Sequence, residues 1–159
     1  MKISRISTVV DWIPVAACMA LIFAFSAQPA DQSSQTSSGL LDLLRPLLAW
    51  WTDRLPPEQQ EAFFTFFHMV IRKTAHFSIY FVMALFSWRA WGNYPFGMPL
   101  RALLSVALCS LYAVSDEIHQ SFVPGRGPGA GDVVLDTVGA LCAVGLCLFL
   151  AYRKRRKSQ

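Results

Sequence analysis

Four stretches of the chain stay apolar for long enough to cross a lipid bilayer, whose hydrocarbon core takes about 20 residues of helix. The pattern predicts spans at about Trp12–Gln28, Ile71–Trp91, Ala102–Gln120 and Asp132–Tyr152. Asp11 stands where it can cap the first span, and Pro14 falls in its first turn, where a missing N–H costs little. Between the first two spans, from about 29 to 70, the pattern changes. "ADQSSQTSSG" is polar, whereas "LLDLLRPLLAWW" is apolar on nearly every side but too short to span, and its paired tryptophans suit the headgroup level. It reads as an interfacial or re-entrant helix. Pro56 and Pro57 followed by Glu58 and Glu61 then form a helix start, because proline fits the first turn and carboxylates favour its positive end. A helix running from there through the second span is too long for the bilayer, so it is expected to project outward or to bend near Arg72. The fold class is an all-α integral membrane protein: one domain, a bundle of four transmembrane helices with an interfacial or re-entrant helix in the first outer loop.

Composition agrees with that pattern. Of 159 residues, 54% are hydrophobic and only 15% charged, with a mean hydropathy of +0.40, which is more apolar than a water-soluble domain of this size. The net charge of +4 comes from residues crowded at the chain ends, Lys2 and Arg5 at the start and "RKRRK" at the finish, instead of from a groove-tracking patch. Nucleic acid is therefore not an expected partner. Lys and Arg are retained on cytoplasmic flanks, so both termini and the turn carrying Arg89 and Arg101 are expected in the cytoplasm. The segment before the second span and the loop "SFVPGRGPGAGD" then face outside. Cys18, Cys109, Cys142 and Cys147 all lie in apolar stretches without a CxxC, which favours packing over disulfides or zinc. "FSAQPA" offers small residues of the kind found at a signal cleavage point, but the apolar run before it is long enough to span and further spans follow, so an uncleaved first helix is expected.

The charged positions inside the spans carry the chemistry. Lys73, His76 and Tyr80 are spaced by three and four residues and share one helical face. The third span ends in "SDEIHQ", where Asp116 and Gln120 share a face while Glu117 and His119 diverge from it. The fourth begins "GDVVLDTVG", with Asp132 and Asp136 one turn apart, and Arg126 lies in the Gly/Pro-rich loop between these spans. Three helices thus bring ionisable groups to the same end at similar depth. A charge at mid-membrane costs about 2.5–3.5 kcal/mol on insertion scales, so such groups persist by pairing and mark functional sites. Each also has a plainer role open to it: headgroup contact for Arg72 and Lys73, helix capping for Asp132, an exposed surface position for His119, headgroup or water contact for Glu117, interfacial anchoring for Tyr80, and a structural ion-pair network for the rest. No nucleotide-binding glycine pattern or recognised metal-ligand spacing is present, and no particular cofactor is indicated.

The order "FSAQP", "RKTAHFSIY", "DEIHQSFVPGR" and "DVVLDTVGA" resembles the VanZ-like membrane protein family over nearly the whole chain. The resemblance singles out Lys73, His76, Asp116, Glu117, Gln120, Arg126, Asp132 and Asp136, and implies a bacterial cytoplasmic-membrane protein of the cell envelope. The family takes its name from a component of glycopeptide-resistance clusters associated with low-level teicoplanin resistance.

Two classes of function are consistent with these residues. In the first, the protein binds or modifies an anionic membrane lipid or lipid-linked envelope precursor at the outer leaflet. Lys73, Gln120, Arg126, Asp132 and Asp136 then form the binding shell, and His76, Asp116 and Glu117 supply acid–base chemistry, with Asp116 orienting His76. Ser78 and Ser115 lie near in sequence without a signature that makes either a nucleophile. In the second, the protein is a non-enzymatic transporter subunit or a drug-sensing or sequestering membrane protein, since carboxylates paired with His also serve proton relays. The sequence does not fix an oligomeric state.

Overall fold

Each long helix buries one narrow stripe of mostly small side chains and turns its large apolar residues outward. The computed structural model describes residues 5–29, 39, 41, 43, 45–127 and 129–157. Its elements are α1 (Arg5–Ser26), a short helix α2 that includes 45–52, α3 (Pro57–Trp91), α4 (Met98–Gln120) and α5 (Ala130–Lys157). The four long helices are each long and apolar enough to cross a membrane. No strand is present among the described residues.

The buried stripes follow helical periodicity: Val15, Cys18, Ile22 and Ser26 on α1; Tyr80, Met83, Ala84, Ser87 and Ala90 on α3; Ser105, Cys109, Ala113, Asp116 and Gln120 on α4; Asp136, Gly139, Ala140, Ala143 and Val144 on α5. Small residues let helix backbones approach closely, which is how helices associate where the solvent is itself apolar. Leu111, Leu103, Ile13 and Phe149 are exposed, at 70%, 64%, 59% and 54%. In water such a surface would be an aggregation liability; against lipid tails it is the expected outer face. All four cysteines are free, with Cys18 and Cys109 buried in the core.

α3 packs against each of the other three long helices, and α4 and α5 pack on one another. Consecutive spans alternate in direction, so α3 and α5 run parallel with α4 returning between them. One end of the bundle is closed by Asp11, which accepts hydrogen bonds from Arg89 Nε at 2.9 Å and Asn93 Nδ2 at 2.8 Å. Trp12 packs edge-on against Trp91 at 4.9 Å, and Arg101 lies over the Trp88 ring while donating to the Trp88 carbonyl at 2.7 Å.

Two expectations change, and one pair of alternatives is decided. Asp11 is not a cap, because α1 begins at Arg5 and Asp11 lies within the helix; its carboxylate instead joins α1 to the end of α3. Of the two alternatives for α3 the structure takes the outward projection: its 35 residues are one continuous helix, about 52 Å at 1.5 Å per residue, against a hydrocarbon core of about 30 Å. Its first turns therefore project beyond the bundle, where α2 packs on them through Trp51 and Phe63, 5.4 Å apart. The spans also run longer than the apolar pattern indicates, with polar turns at one or both ends of α3, α4 and α5. The polar stretch 30–38 and the residue Lys2 lie outside the described residues.

Candidate functional site

The end of the bundle opposite Asp11 gathers the ionisable residues of the spans. Because α3 and α5 run parallel, equivalent turns face each other in register. Lys73 forms an ion pair with Asp132, and one turn further His76 Nδ1 lies 3.7 Å from Asp136 Oδ2. One turn further along α5, and at the residue after His76 on α3, the helices touch: an ideal Cβ on Gly139 would lie 2.6 Å from the Phe77 carbonyl oxygen. Glycine at 139 is what lets the backbones come this close, and so sets the depth at which the two charged pairs meet.

α4 supplies the opposite wall. Asp116 Oδ2 accepts hydrogen bonds from Ser26 Oγ at 2.9 Å and Gln120 Nε2 at 2.8 Å, and Gln120 Nε2 also reaches Ser26 Oγ at 3.2 Å. All three residues are buried, so the triad ties the end of α1 to the end of α4. Glu117 Oε2 accepts a hydrogen bond from the Gly129 N–H at 2.7 Å and so anchors the loop that leads into α5.

Arg126 is placed by a turn. Its N–H donates to the Val123 carbonyl at 3.1 Å, with Pro124 and Gly125 between them and Gly125 at φ 77°. Proline followed by a residue of positive φ is the type II arrangement, which only glycine adopts without strain. The Arg126 Nη2 donates to the Phe25 carbonyl at 3.2 Å, while its Nε is buried without a partner. Burial, and next the like charge of Arg72, lower its pKa from the ordinary arginine value, yet a guanidinium stays protonated in proteins. Among the described residues no carboxylate lies within ion-pair distance of it.

These elements enclose a cleft of about 130 Å³ lined by Arg72, Lys73, His76, Gln120, Arg126 and Asp132, with Gly125, Gly127 and Leu135 completing it. That is room for a group the size of a few waters, at about 30 Å³ each. Three cationic side chains and one imidazole face it against a single lining carboxylate. The arrangement suits an anion: arginine offers a planar fork, lysine a point charge, and the imidazole a proton. Among the described residues no group of three or more His, Cys, Asp or Glu side chains is placed to hold a metal ion.

The structure brings together Lys73, His76, Gln120, Arg126 and Asp132 at the cleft, with Asp136 directly behind His76. It revises the parts of several residues. The carboxylate nearest the His76 ring is Asp136, not Asp116, which is occupied by Ser26 and Gln120. Glu117 does not diverge into lipid or water: it is buried on the loop side of α4, where it holds the Gly129 backbone and does not line the cleft. Asp132, in the first turn of α5, is bound to Lys73, and Tyr80 is fully buried, not interfacial. His119 is not an open surface residue: it stacks on Phe23 at 4.6 Å with its Nε2 buried. Arg126 reaches the Phe25 backbone carbonyl of α1. Ser115 is bound to the Tyr112 carbonyl of its own helix and Ser78 is exposed. Ser26 was missed as a site residue; the signal available was its position in "FSAQP", a polar residue on the same stripe as Val15, Cys18 and Ile22.

Fold and site together define a multi-pass membrane protein with a cation-rich polar cleft at one end of its helix bundle. A family model described as VanZ/LLP1 matches residues 12–151, and the chain belongs to that family. No curated protein and no solved structure gives a significant match.

Proposed function

We propose that the protein binds, and through His76 acts on, an anionic lipid-linked substrate at the outer leaflet of the bacterial cytoplasmic membrane, with both termini in the cytoplasm. The observation that carries this reading is the convergence of Arg72, Lys73 and Arg126 with His76 on one small cleft at the end of the spans. Arg126 and Lys73 hold the phosphate-like group. Asp132 positions Lys73, and Asp136 faces Nδ1 of His76, which leaves Nε2 as the nitrogen for proton transfer on the cleft side. Asp116, Gln120 and Ser26 hold the α4 wall, and Glu117 holds the loop that carries Arg126. An altered pool of anionic envelope lipids or precursors changes what a lipid-bearing glycopeptide meets at the membrane, which connects this activity to the resistance from which the family takes its name.

The test is a lipidomic and muropeptide comparison of cells lacking the gene, carrying it, or carrying His76→Gln at equal membrane abundance. Glutamine hydrogen-bonds but ferries no proton, and loss of general acid–base catalysis typically costs about 10²–10⁴-fold in rate. A lipid or precursor pool that changes with the wild type and reverts with His76→Gln supports the reading. A pool that His76→Gln alters as fully as the wild type refutes acid–base chemistry and leaves a binding protein.

A further inference from the structure

The polar cleft does not end at its charged rim. Lys73 and Leu135, which line it, also line a second depression of about 230 Å³ between α3 and α5, completed by Val70, Thr74 and Phe77. Every residue of this groove other than Lys73 and Thr74 is apolar. Val70 is 37% exposed, and Thr74 is exposed on the flank of the bundle. The groove has a defined floor, because at Phe77 and Gly139 the two helix backbones are in contact and cannot admit a chain. From Phe77 to Val70 it extends about 10 Å along α3, with Lys73 midway, and it opens on the flank of the bundle where Thr74 is exposed.

We propose that this groove holds an acyl chain of the anionic lipid whose headgroup occupies the cleft, with Lys73 at the junction of head and tail. The inference rests on the anionic-substrate reading and adds to it the class of molecule and its direction of approach: a membrane lipid arriving sideways between α3 and α5. Charge decides the occupant. An apolar furrow on a membrane helix is ordinarily filled by any lipid, but this one shares Lys73 with the cleft that Arg72 and Arg126 also line, and these cations favour a headgroup carrying negative charge over a zwitterion. Lipid tails surround the chain both before and after it enters, so little hydrophobic free energy is gained by the transfer. The groove thus determines route and orientation, and the cations determine selectivity.

The experiment uses the full-length protein in phosphatidylcholine nanodiscs containing a small fraction of phosphatidic acid with a photoactivatable diazirine in the first half of one acyl chain. Adducts are mapped by mass spectrometry after illumination, and thermal stability is measured with and without unlabelled phosphatidic acid. The expected result is a several-fold concentration of adducts on Val70, Thr74, Phe77 and Leu135 over exposed α4 residues such as Leu103 and Leu111. Unlabelled phosphatidic acid should compete and phosphatidylcholine should not. Thr74→Trp, which fills the groove, should abolish the adducts while thermal stabilisation by phosphatidic acid persists. Adducts spread evenly over the lipid-facing helices, or concentrated between α4 and α5 at Val114, Ile118 and Val133, overturn the groove. If phosphatidic acid still stabilises the protein in that case, and Arg126→Ala removes the effect, the anionic-substrate reading stands alone. If phosphatidic acid neither stabilises nor competes, both fall.

Discussion

Replacing Gly139 by alanine adds one methyl group at the closest point between α3 and α5. That carbon would lie 2.6 Å from the Phe77 carbonyl oxygen and 3.4 Å from both the Phe77 carbonyl carbon and its Cδ2. The nearest obstacle is backbone, so no side-chain rotation relieves it. Ordinary carbon–oxygen contacts are about 3.3–3.6 Å, so the helices must separate by nearly 1 Å. Overpacking of this kind typically costs about 1–3 kcal/mol. Alanine recovers about 0.5–1 kcal/mol of it through helix propensity. Gly145→Ala is the internal control, since it lies in the same helix with nothing within 4 Å of its added carbon. The difference between the two variants removes the propensity contribution and isolates the contact. At roughly 2–4 °C per kcal/mol for a chain of this size, Gly139→Ala should melt roughly 2–12 °C below Gly145→Ala in mild detergent. The functional loss should be larger than the stability loss, because Gly139 sits one turn from Asp136 and Phe77 adjoins His76. A displacement of about 1 Å in a catalytic geometry can cost on the order of 10²-fold in rate. Equal melting temperatures for the two alanine variants would show that α3 and α5 are not held at this distance, and with it remove the register that pairs His76 with Asp136.

Asp116→Asn should keep the fold, because both hydrogen bonds to Asp116 go to a single oxygen that an amide carbonyl can replace, whereas Asp116→Ala strands the buried Ser26 hydroxyl at about 1–3 kcal/mol and leaves Gln120 with only its bond to Ser26; thermal denaturation of the two variants distinguishes them, and equal melting would show that this triad does not join α1 to α4. Arg126→Lys should change stability by no more than about 1 kcal/mol, since it loses one bond to a carbonyl, while anion binding falls because a lysine cannot present a planar fork; undiminished affinity for phosphatidic acid would reduce the site to a point-charge requirement. A reporter active only outside the membrane should be silent when fused after Gln159 and active when inserted near Ser37, and the reverse pattern would place the cleft on the cytoplasmic side.

What could be read from the sequence and what could not divide along physical lines. The four spans were legible because length and apolarity decide them with no reference to packing, and the VanZ-like resemblance was carried by motifs that fall at the site end of the helices. Helical spacing put Lys73 with His76 on one face and Asp132 with Asp136 on another, and the alternation of the spans brought the two faces to one end of the bundle. Partner assignment did not follow from spacing, since it depends on which helices run parallel and where they touch. Asp116 and Asp136 sit at comparable depth on α4 and α5, and only the contact at Gly139 decides that Asp136 meets the imidazole. Glu117 was misread because a helical wheel records its angle but not the returning loop, whose Gly129 N–H it accepts. Ser26 was missed since a serine at the end of an apolar run resembles a helix terminus until its acceptor, 90 positions away in sequence, is placed beside it.

The inward stripes explain why so many charges are tolerated at one end of an apolar bundle. On α4 the buried face passes from Ser105, Cys109 and Ala113 to Asp116 and Gln120. On α5 it passes in the opposite chain direction, from Asp136 to Gly139, Ala140 and Ala143. Small residues hold the middle of the bundle closed, and the polar residues follow where the helices reach the end of the membrane and water is at hand. Three carboxylates are hydrogen-bonded or ion-paired, Asp132 to Lys73, Asp116 to Ser26 and Gln120, and Glu117 to Gly129, whereas Asp136 faces His76 at 3.7 Å with its Oδ1 buried and unbonded. Of the cations lining the cleft, only Lys73 is in an ion pair among the described residues. Arg126 and Arg72 thus face the cleft with no carboxylate at ion-pair distance among the described residues. On the proposed reading an anionic ligand completes this part of the site, and the guanidinium whose Nε is buried without a partner is the group that gains most from it.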